Sequence, residues 1–275
     1  MTTLLDQSSH FDFGKNWQDY AAKIDKTKLE LATQGMAALI DPKFLAGKTF
    51  LDIGCGSGIH ALAALRLGAA EVTAIDLDPN SVAATRGVLD AFAPAANWKV
   101  FEMSVFDTKT LGTFDVVYSW GVLHHTGNVK LAMQRAVECT APGGILCMAI
   151  YLKTALCGFW KAEKRFYVNA GPQTQAALRR AFVRWQIAVN FAQYGAAGKL
   201  YKPSALRETQ RRRGMDFEND LHDWLGGYPY ESMTPKDVRK TMTALRMREV
   251  KANIKVPWSL GLHGSACNEY VFRHA

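Results

Sequence analysis

Three glycines spaced two apart, with an acid just ahead of them, form the part of this chain best suited to chemistry. The run is Thr49-Phe50-Leu51-Asp52-Ile53-Gly54-Cys55-Gly56-Ser57-Gly58. Its apolar start reads as a short strand, and the Ala- and Leu-rich stretch Ile59 to Leu67 after it reads as a helix. Glycines turn tightly and let a ligand approach the backbone with no Cβ in the way. A strand, a glycine turn and a helix in that order place a small ligand at the mouth of a parallel sheet.

The spacing selects among ligands. A dinucleotide fingerprint reads G-x-G-x-x-G and sets a pyrophosphate on the helix N-terminus. Here the pattern is G-x-G-x-G, and Asp52 precedes it. A carboxylate there repels a pyrophosphate and favours an ammonium or sulfonium. One helix later, Val72-Thr73-Ala74-Ile75-Asp76 is a second strand ending in an acid, suited to the two hydroxyls of a ribose. A ribose joined to a cationic amino-acid tail describes S-adenosylmethionine.

Further motifs follow in order: Phe114-Asp115-Val116-Val117-Tyr118-Ser119-Trp120-Gly121-Val122-Leu123-His124-His125, then Ala141-Pro142-Gly143-Gly144. With Leu51 to Gly58 and Asp76, this set resembles the class I S-adenosylmethionine-dependent methyltransferases, most closely over about residues 45–150. The resemblance implies an α/β Rossmann-like, doubly wound seven-stranded sheet of order 3-2-1-4-5-7-6. Its last strand is antiparallel, and a helical insertion precedes the last two strands. It also implies cofactor contacts from Asp52, Gly54, Cys55, Gly56, Gly58, Asp76 and Leu77, with Ser57 in the same turn. Trp120 would offer its carbonyl to the methionine end. Ser104 and Val105 stand where many relatives carry an Asp and a small residue against the adenine. The serine departs from that pattern, and Asp107 is an alternative partner for the adenine amino group. The resemblance does not fix the acceptor, because one fold hosts many chemistries.

Elements must then position these groups. Asp25 to Ile40 has the spacing of an amphipathic helix, with Leu29, Ala32, Met36 and Leu39 on one stripe. Ahead of it, Phe11, Phe13, Trp17 and Tyr20 either pack on the core or form a flap. In the flap reading Trp17 covers the cofactor and Tyr20 the acceptor. A helix from Pro79 to about Phe92, strands Trp98 to Met103 and Phe114 to Ser119, a helix Asn128 to Cys139 and a strand Ile145 to Ile150 continue the alternation that makes a parallel sheet. A helix from Pro235 to about Arg246 precedes the strands Glu249 to Val256 and Glu269 to Phe272. The expected organisation is an N-terminal helical arm over 1–44 and a cofactor core over 45–150. A mainly helical cap over 151–232 and the rest of the core sheet over 233–275 complete it.

The cap region carries the acceptor question. Leu178, Phe182, Trp185, Val189 and Ala192 mark one face of a helix from Gln173 to about Tyr194, and a weaker helix is expected over Ser204 to Arg213. The stretch Asp223 to Glu231 holds three aromatics, two glycines and two acids. Either it is a satellite apolar cluster, or it is an acceptor wall in which Trp224, Tyr230 and Glu231 bind substrate and Tyr228 takes part in catalysis. Together with Gly264 to Phe272 it resembles a branch of bacterial small-molecule methyltransferases. His124 and His125 are the best-placed titratable groups for acceptor binding or proton removal. Of the two, His124 is the one expected to face the site, with packing or helix capping as its alternative, and His125 is expected to point elsewhere. No carboxylate cluster of metal-binding spacing accompanies the pair, so no metal is expected.

The formal charge is +8, and seven arginines between Arg179 and Arg213 concentrate it. They read as a solvated face, as a site for an anionic small substrate, or as an RNA surface. The last is disfavoured, because there is no Asn/Asp-Pro-Pro-Tyr after the fourth strand and no Pro-Cys nucleophile. No apolar run is long enough to span a bilayer, and there is no secretory leader pattern. Five cysteines without C-x-x-C spacing suit free thiols in a cytoplasmic protein. The expected function is therefore methyl transfer from S-adenosylmethionine to an oxygen or nitrogen of a small molecule, with an anionic or aromatic acceptor as the class expected. RNA methylation through the basic cap, a lipid or quinone substrate docked through Tyr151 to Phe166, and non-catalytic cofactor binding are the alternatives. The sequence names no oligomeric state.

Overall fold

A computed structural model describes residues 11–195, 216–255 and 261–275. The expected helix over Ser204 to Arg213, the end of the strand drawn to Val256, and Arg207, Arg211, Arg212 and Arg213 lie outside the described residues.

Seven strands form one sheet: β1 (Thr49–Ile53), β2 (Glu71–Asp76), β3 (Trp98–Glu102), β4 (Phe114–Trp120), β5 (Thr140–Tyr151), β6 (Met247–Asn253) and β7 (Cys267–His274). Their order is β3-β2-β1-β4-β5-β7-β6. The first five pair in parallel, and β7 runs antiparallel to both β5 and β6. The fold is the expected α/β one, with β5 five residues longer at its start than the sequence suggested. The Pro142-Gly143-Gly144 segment stays within the strand, at an irregularity against β4.

Strand alternation sorts the apolar residues to two faces. Phe50, Ala74, Val116 and Cys147 pack with α2 (Lys26–Leu39), α3 (Ile59–Arg66) and α4 (Pro79–Phe92). Leu51, Ile75, Val117 and Met148 pack on the other face, with α5 (Val129–Glu138) and the helix Pro235–Ala244. Burial on both faces is what a central parallel sheet requires. Asp25, Asp78 and Asn128 cap α2, α4 and α5, each side chain accepting a backbone N–H of the first turn.

The aromatic N-terminal stretch is itself a helix, α1 (Phe13–Ala21). The segment between β5 and the last helix carries α6 (Cys157–Val168), α7 (Pro172–Tyr194) and α8 (Phe217–Gly226); Pro235–Ala244 is then α9. This segment leaves and rejoins the sheet at one place, where Met233 N–H donates to Tyr151 O at 2.9 Å and Lys153 N–H to Met233 O at 3.1 Å. Two expectations change here. The Asp223 to Gly226 part of the supposed loop is the last turn of α8. On α7, Trp185 lies 46% exposed, off the buried stripe, with its indole N–H on Leu262 O. Phe182 and Leu178 do pack against α8 and Tyr167.

Candidate functional site

At the C-terminal edge of β1, Gly54, Gly56 and Gly58 all have positive φ (77°, 54° and 78°). A Cβ would also be crowded at all three positions, and on Gly54 it would run into the Val122 side chain. A Cβ on Gly58 would lie 2.8 Å from Thr85 Cα, a backbone atom that cannot swing away. One on Gly56 would press the Trp17 indole at 3.3 Å. The turn is pinned to β2 by Gly54 and Cys55 N–H groups donating to Ile75 O at 2.8 and 3.0 Å. Thr85 Oγ1 donates to Gly56 O and contacts Cys55 Sγ, and burial holds the Cys55 thiol high and protonated.

Asp76, at the end of β2, accepts Gly56 N–H on one oxygen and Asp78 N–H on the other, both at 3.0 Å. Burial pushes its carboxyl up to about 6 despite these bonds. Asp52 sits one layer deeper, behind the turn. Burial and the Asp76 charge push it up to about 7, the Ala61 N–H opposes that rise, and its Oδ2 makes no hydrogen bond.

These groups open on a cavity of about 1290 Å³. Cys55, Gly56, Asp76, Leu77, Ser104, Val105 and Trp120 form one end of its wall, with Trp17 and Tyr20 from α1. Asp52 and Gly58 support that wall without lining it. Leu77 is 42% exposed, and the Ser104 hydroxyl accepts Phe106 N–H, capping the short turn Val105–Thr110. Asp107 is exposed and does not reach the cavity. Tyr20 was expected on the acceptor side. It instead packs edge-on against Trp17, rings 5.7 Å apart, beside the glycine turn.

The other end is built by α7 and α8 of the cap together with the end of β5 and the turn after β4. His125, Tyr151, Phe182, Asp220, Asp223 and Trp224 line it. The two histidines are arranged opposite to expectation. The short turn Leu123–His125 drives His124 inward, fully buried against the Tyr151 ring at 3.9 Å, with neither ring nitrogen in a well-formed hydrogen bond. Burial holds its pKa well below the ordinary histidine range, so it is neutral. His125 is the one on the wall. Its Nδ1 lies 2.7 Å from Pro229 O, and a carbonyl only accepts, so Nδ1 carries a proton.

Three other expected residues are not on the wall. Tyr228 is buried, and its carbonyl accepts Phe11 N–H. The Tyr230 hydroxyl is spent on Ser265 and Cys157. Glu231 accepts Val129 N–H at 2.9 Å at the start of α5, which an acid stabilises. Sequence reasoning missed Glu269, which accepts the Trp120 indole N–H at 2.9 Å, and His60, whose burial brings it down to about 4. The Arg179 guanidinium is tied to the Tyr167 hydroxyl at 2.6 Å, a structural use of one member of the arginine cluster. Among the described residues no group of His, Cys, Asp and Glu could hold a metal, and no helix is long and apolar enough to cross a membrane.

Comparison with known proteins places this geometry. Residues 20–219 match the family model described as a methyltransferase domain. A ribosomal protein L11 methyltransferase from Serratia proteamaculans is 57% identical over 47 residues, 17% of this chain and 16% of that protein. A tRNA U34 carboxymethyltransferase from Alteromonas mediterranea is 33% identical over 110 residues, 38% of this chain and 32% of that protein. The match thus spans about a third or less of these curated relatives. Among solved structures, magnesium protoporphyrin IX methyltransferase from Synechocystis PCC 6803 with bound S-adenosylhomocysteine superposes with a TM-score of 0.54 at 13% identity, over 90% of this chain and 84% of that one. The chain belongs to the methyltransferase-domain family.

Proposed function

We propose that this chain transfers the methyl group of S-adenosylmethionine to an oxygen or nitrogen of a small molecule held in the cap half of the cavity. The observation that carries this reading is the continuity of one cavity between two unlike ends. One end has the glycine turn and Asp76, the other an aromatic wall to which β5 contributes Tyr151 and the cap contributes Phe182 and Trp224.

The residues present fit the cofactor. Asp76 has both oxygens organised by backbone N–H groups and meets the ribose hydroxyls. Leu77, Ser104 and Val105 flank the adenine. The backbone of Gly54, Cys55 and Gly56 lies along the amino-acid tail, and Gly58 lets that backbone turn. Trp120, held by Glu269, borders the same end. Asp52 acts through its field: a buried carboxyl with one unbonded oxygen favours a nearby ammonium or sulfonium. Trp17 closes over Gly56.

The cofactor, when bound, supplies an activated methyl group on a good leaving group. The protein's task is then alignment, which is worth about 7–11 kcal/mol in favourable cases. For a hydroxyl acceptor a proton must also leave. His125 is the group we assign to it: Nδ1 donates to Pro229 O, so a proton taken from the acceptor would go to Nε2.

Calorimetry of the full chain tests the reading. S-adenosylhomocysteine is expected to bind with one site per chain and a nicotinamide dinucleotide to give no heat. The reverse pattern would overturn it.

A further inference from the structure

The helices α6 and α7 follow one another in the chain, and both are basic and aromatic. α7 has three arginines and no acid in its 23 residues. α6 has one acid, Glu163, which is half-buried, beside Lys161, Lys164 and Arg165. Four of their large rings nevertheless face water. Phe159, Phe166, Trp185 and Phe191 range from 46% exposed at Trp185 to 60% at Phe159.

Spacing puts each set on one side of its helix. Phe159, Ala162 and Phe166 recur at three and four residues along α6, with Lys161 and Arg165 exposed beside them. Ala177, Ala181, Trp185 and Ala188 do the same along α7, and Phe191 extends the row, with Arg180 and Arg184 exposed beside it. The other sides are packed. Trp160 of α6 meets Phe182 of α7 edge to face at 5.7 Å and Trp224 of α8 at 6.0 Å, and Arg179 holds Tyr167. Residue 160 beside 182 and 167 beside 179 make α6 and α7 an antiparallel hairpin packed on α8. The exposed rows therefore point away from α8.

Single exposed apolar side chains are ordinary, but rings interleaved with cations on consecutive helices match an interfacial surface. The occupant must be anionic and must also receive apolar rings. A second copy of this chain would set like charge against like across a two-fold axis. The stretch 196–215 after α7 carries six lysines and arginines against Glu208 alone, so its charge has the same sign as the face. A nucleic-acid strand is held in a basic groove with stacking platforms, whereas these rings stand on the convex sides of two helices. An anionic bilayer supplies both needs: phosphates for the cations and an acyl boundary for the rings. No described helix is long and apolar enough to cross it, so the contact is peripheral. α7 joins this face to the site, because Phe182 and Gln186 on its inner side line the cavity.

We infer that the outer face of the α6–α7 hairpin docks on an anionic lipid bilayer, with the four rings at the acyl boundary and Lys161, Arg165, Arg180 and Arg184 on the phosphates. Methyl transfer does not require this contact, so the two readings fail separately.

Co-sedimentation of the full chain with vesicles is the test. Phosphatidylcholine containing about one third phosphatidylglycerol is expected to bind it at least about thirtyfold more tightly than phosphatidylcholine alone, as two fully engaged surface cations give. That excess should shrink as salt is added. Phe159→Ser combined with Phe166→Ser should weaken binding to the anionic vesicles at least about tenfold. The same variant should hold S-adenosylhomocysteine as wild type does, because neither residue lines the cavity. Arg180→Gln combined with Arg184→Gln should remove most of the preference for anionic vesicles. Equal binding to both vesicles, binding to neither, or undiminished binding by either double variant would overturn the inference. A uridine oligonucleotide held more tightly than the vesicles, or a dimer in solution that the phenylalanine variant dissolves, would overturn it too. Vesicle binding that persists when S-adenosylhomocysteine fails to bind would strike only the methyl-transfer reading.

Discussion

Replacing Asp76 is the sharpest probe of the cofactor end. Its two oxygens hold Gly56 and Asp78 N–H groups at 3.0 Å, and the carboxylate lines the cavity. If the ribose donates two hydroxyls to it, Asp76→Ala removes two hydrogen bonds to a charged group, each worth about 1.5–3 kcal/mol. The sum, about 3–6 kcal/mol, is roughly a hundred-fold to ten-thousand-fold loss in affinity. Asp76→Asn keeps the shape, but its amide N–H must face a backbone donor on one side, so it falls between wild type and alanine. The pH dependence has a definite sign. In the empty protein the carboxyl titrates near 6, raised by burial and held down by the Asp78 and Gly56 N–H groups. A bound ribose favours the ionised form, so affinity should fall up to tenfold per pH unit below about 6 and level off above it. Asp52, up near 7, adds a second loss of the same sign for a cationic ligand. Calorimetric titration of S-adenosylhomocysteine from pH 5 to 8 measures both effects. An Asp76→Ala affinity within about threefold of wild type, or affinity that rises on acidification, would refute the assignment.

The histidines should separate in two assays. His124→Ala is expected to cost about 2–4 kcal/mol in urea denaturation, because it empties a fully buried site, while His125→Ala should lower kcat for a hydroxyl acceptor with little loss of stability. Two glycine-to-alanine changes should have opposite signs. Gly58→Ala forces a Cβ to 2.8 Å from Thr85 Cα at φ 78° and should cost at least about 2 kcal/mol, whereas exposed Gly87 within α4 should gain about 0.5–1 kcal/mol. Trp17→Ala, which uncovers Gly56, should raise the dissociation rate of S-adenosylhomocysteine in stopped flow and leave the urea midpoint nearly unchanged.

The parts legible from sequence were those set by local rules. Strand β1, the glycine turn and α3 are contiguous, and their spacing carries the geometry. The alternation of strands and helices gave the rest of the sheet, and capping residues such as Asp25, Asp78 and Asn128 marked helix starts to within a residue. What was not legible is which way a side chain faces once the chain leaves regular structure. His124 and His125 are adjacent, and only a short turn packed on Tyr151 decides which is buried. Tyr228, Tyr230 and Glu231 looked like a binding loop, but α8 extends into that stretch and its remaining polar groups are consumed by Phe11, Ser265 and Val129. Glu269 had no sequence signal, because its position beside Trp120 depends on β7 lying antiparallel against β5.

The first helix has a consequence for the order of events. α1 grips the core through Gly14 N–H on Asp78 at 2.9 Å and Trp17 on Gly56. It grips the cap through a reciprocal amide pair, Asn16 Nδ2 to Asn219 O at 3.1 Å and Asn219 Nδ2 to Asn16 Oδ1 at 2.8 Å. One strap thus fastens both compartments. Any nucleoside that steadies the strap also steadies the compartment across from it, and thermodynamic reciprocity returns the favour in equal measure. Exchange of the spent nucleoside then requires unlatching contacts that also shape the neighbouring chamber, which makes a compulsory loading sequence the natural kinetic signature of this architecture.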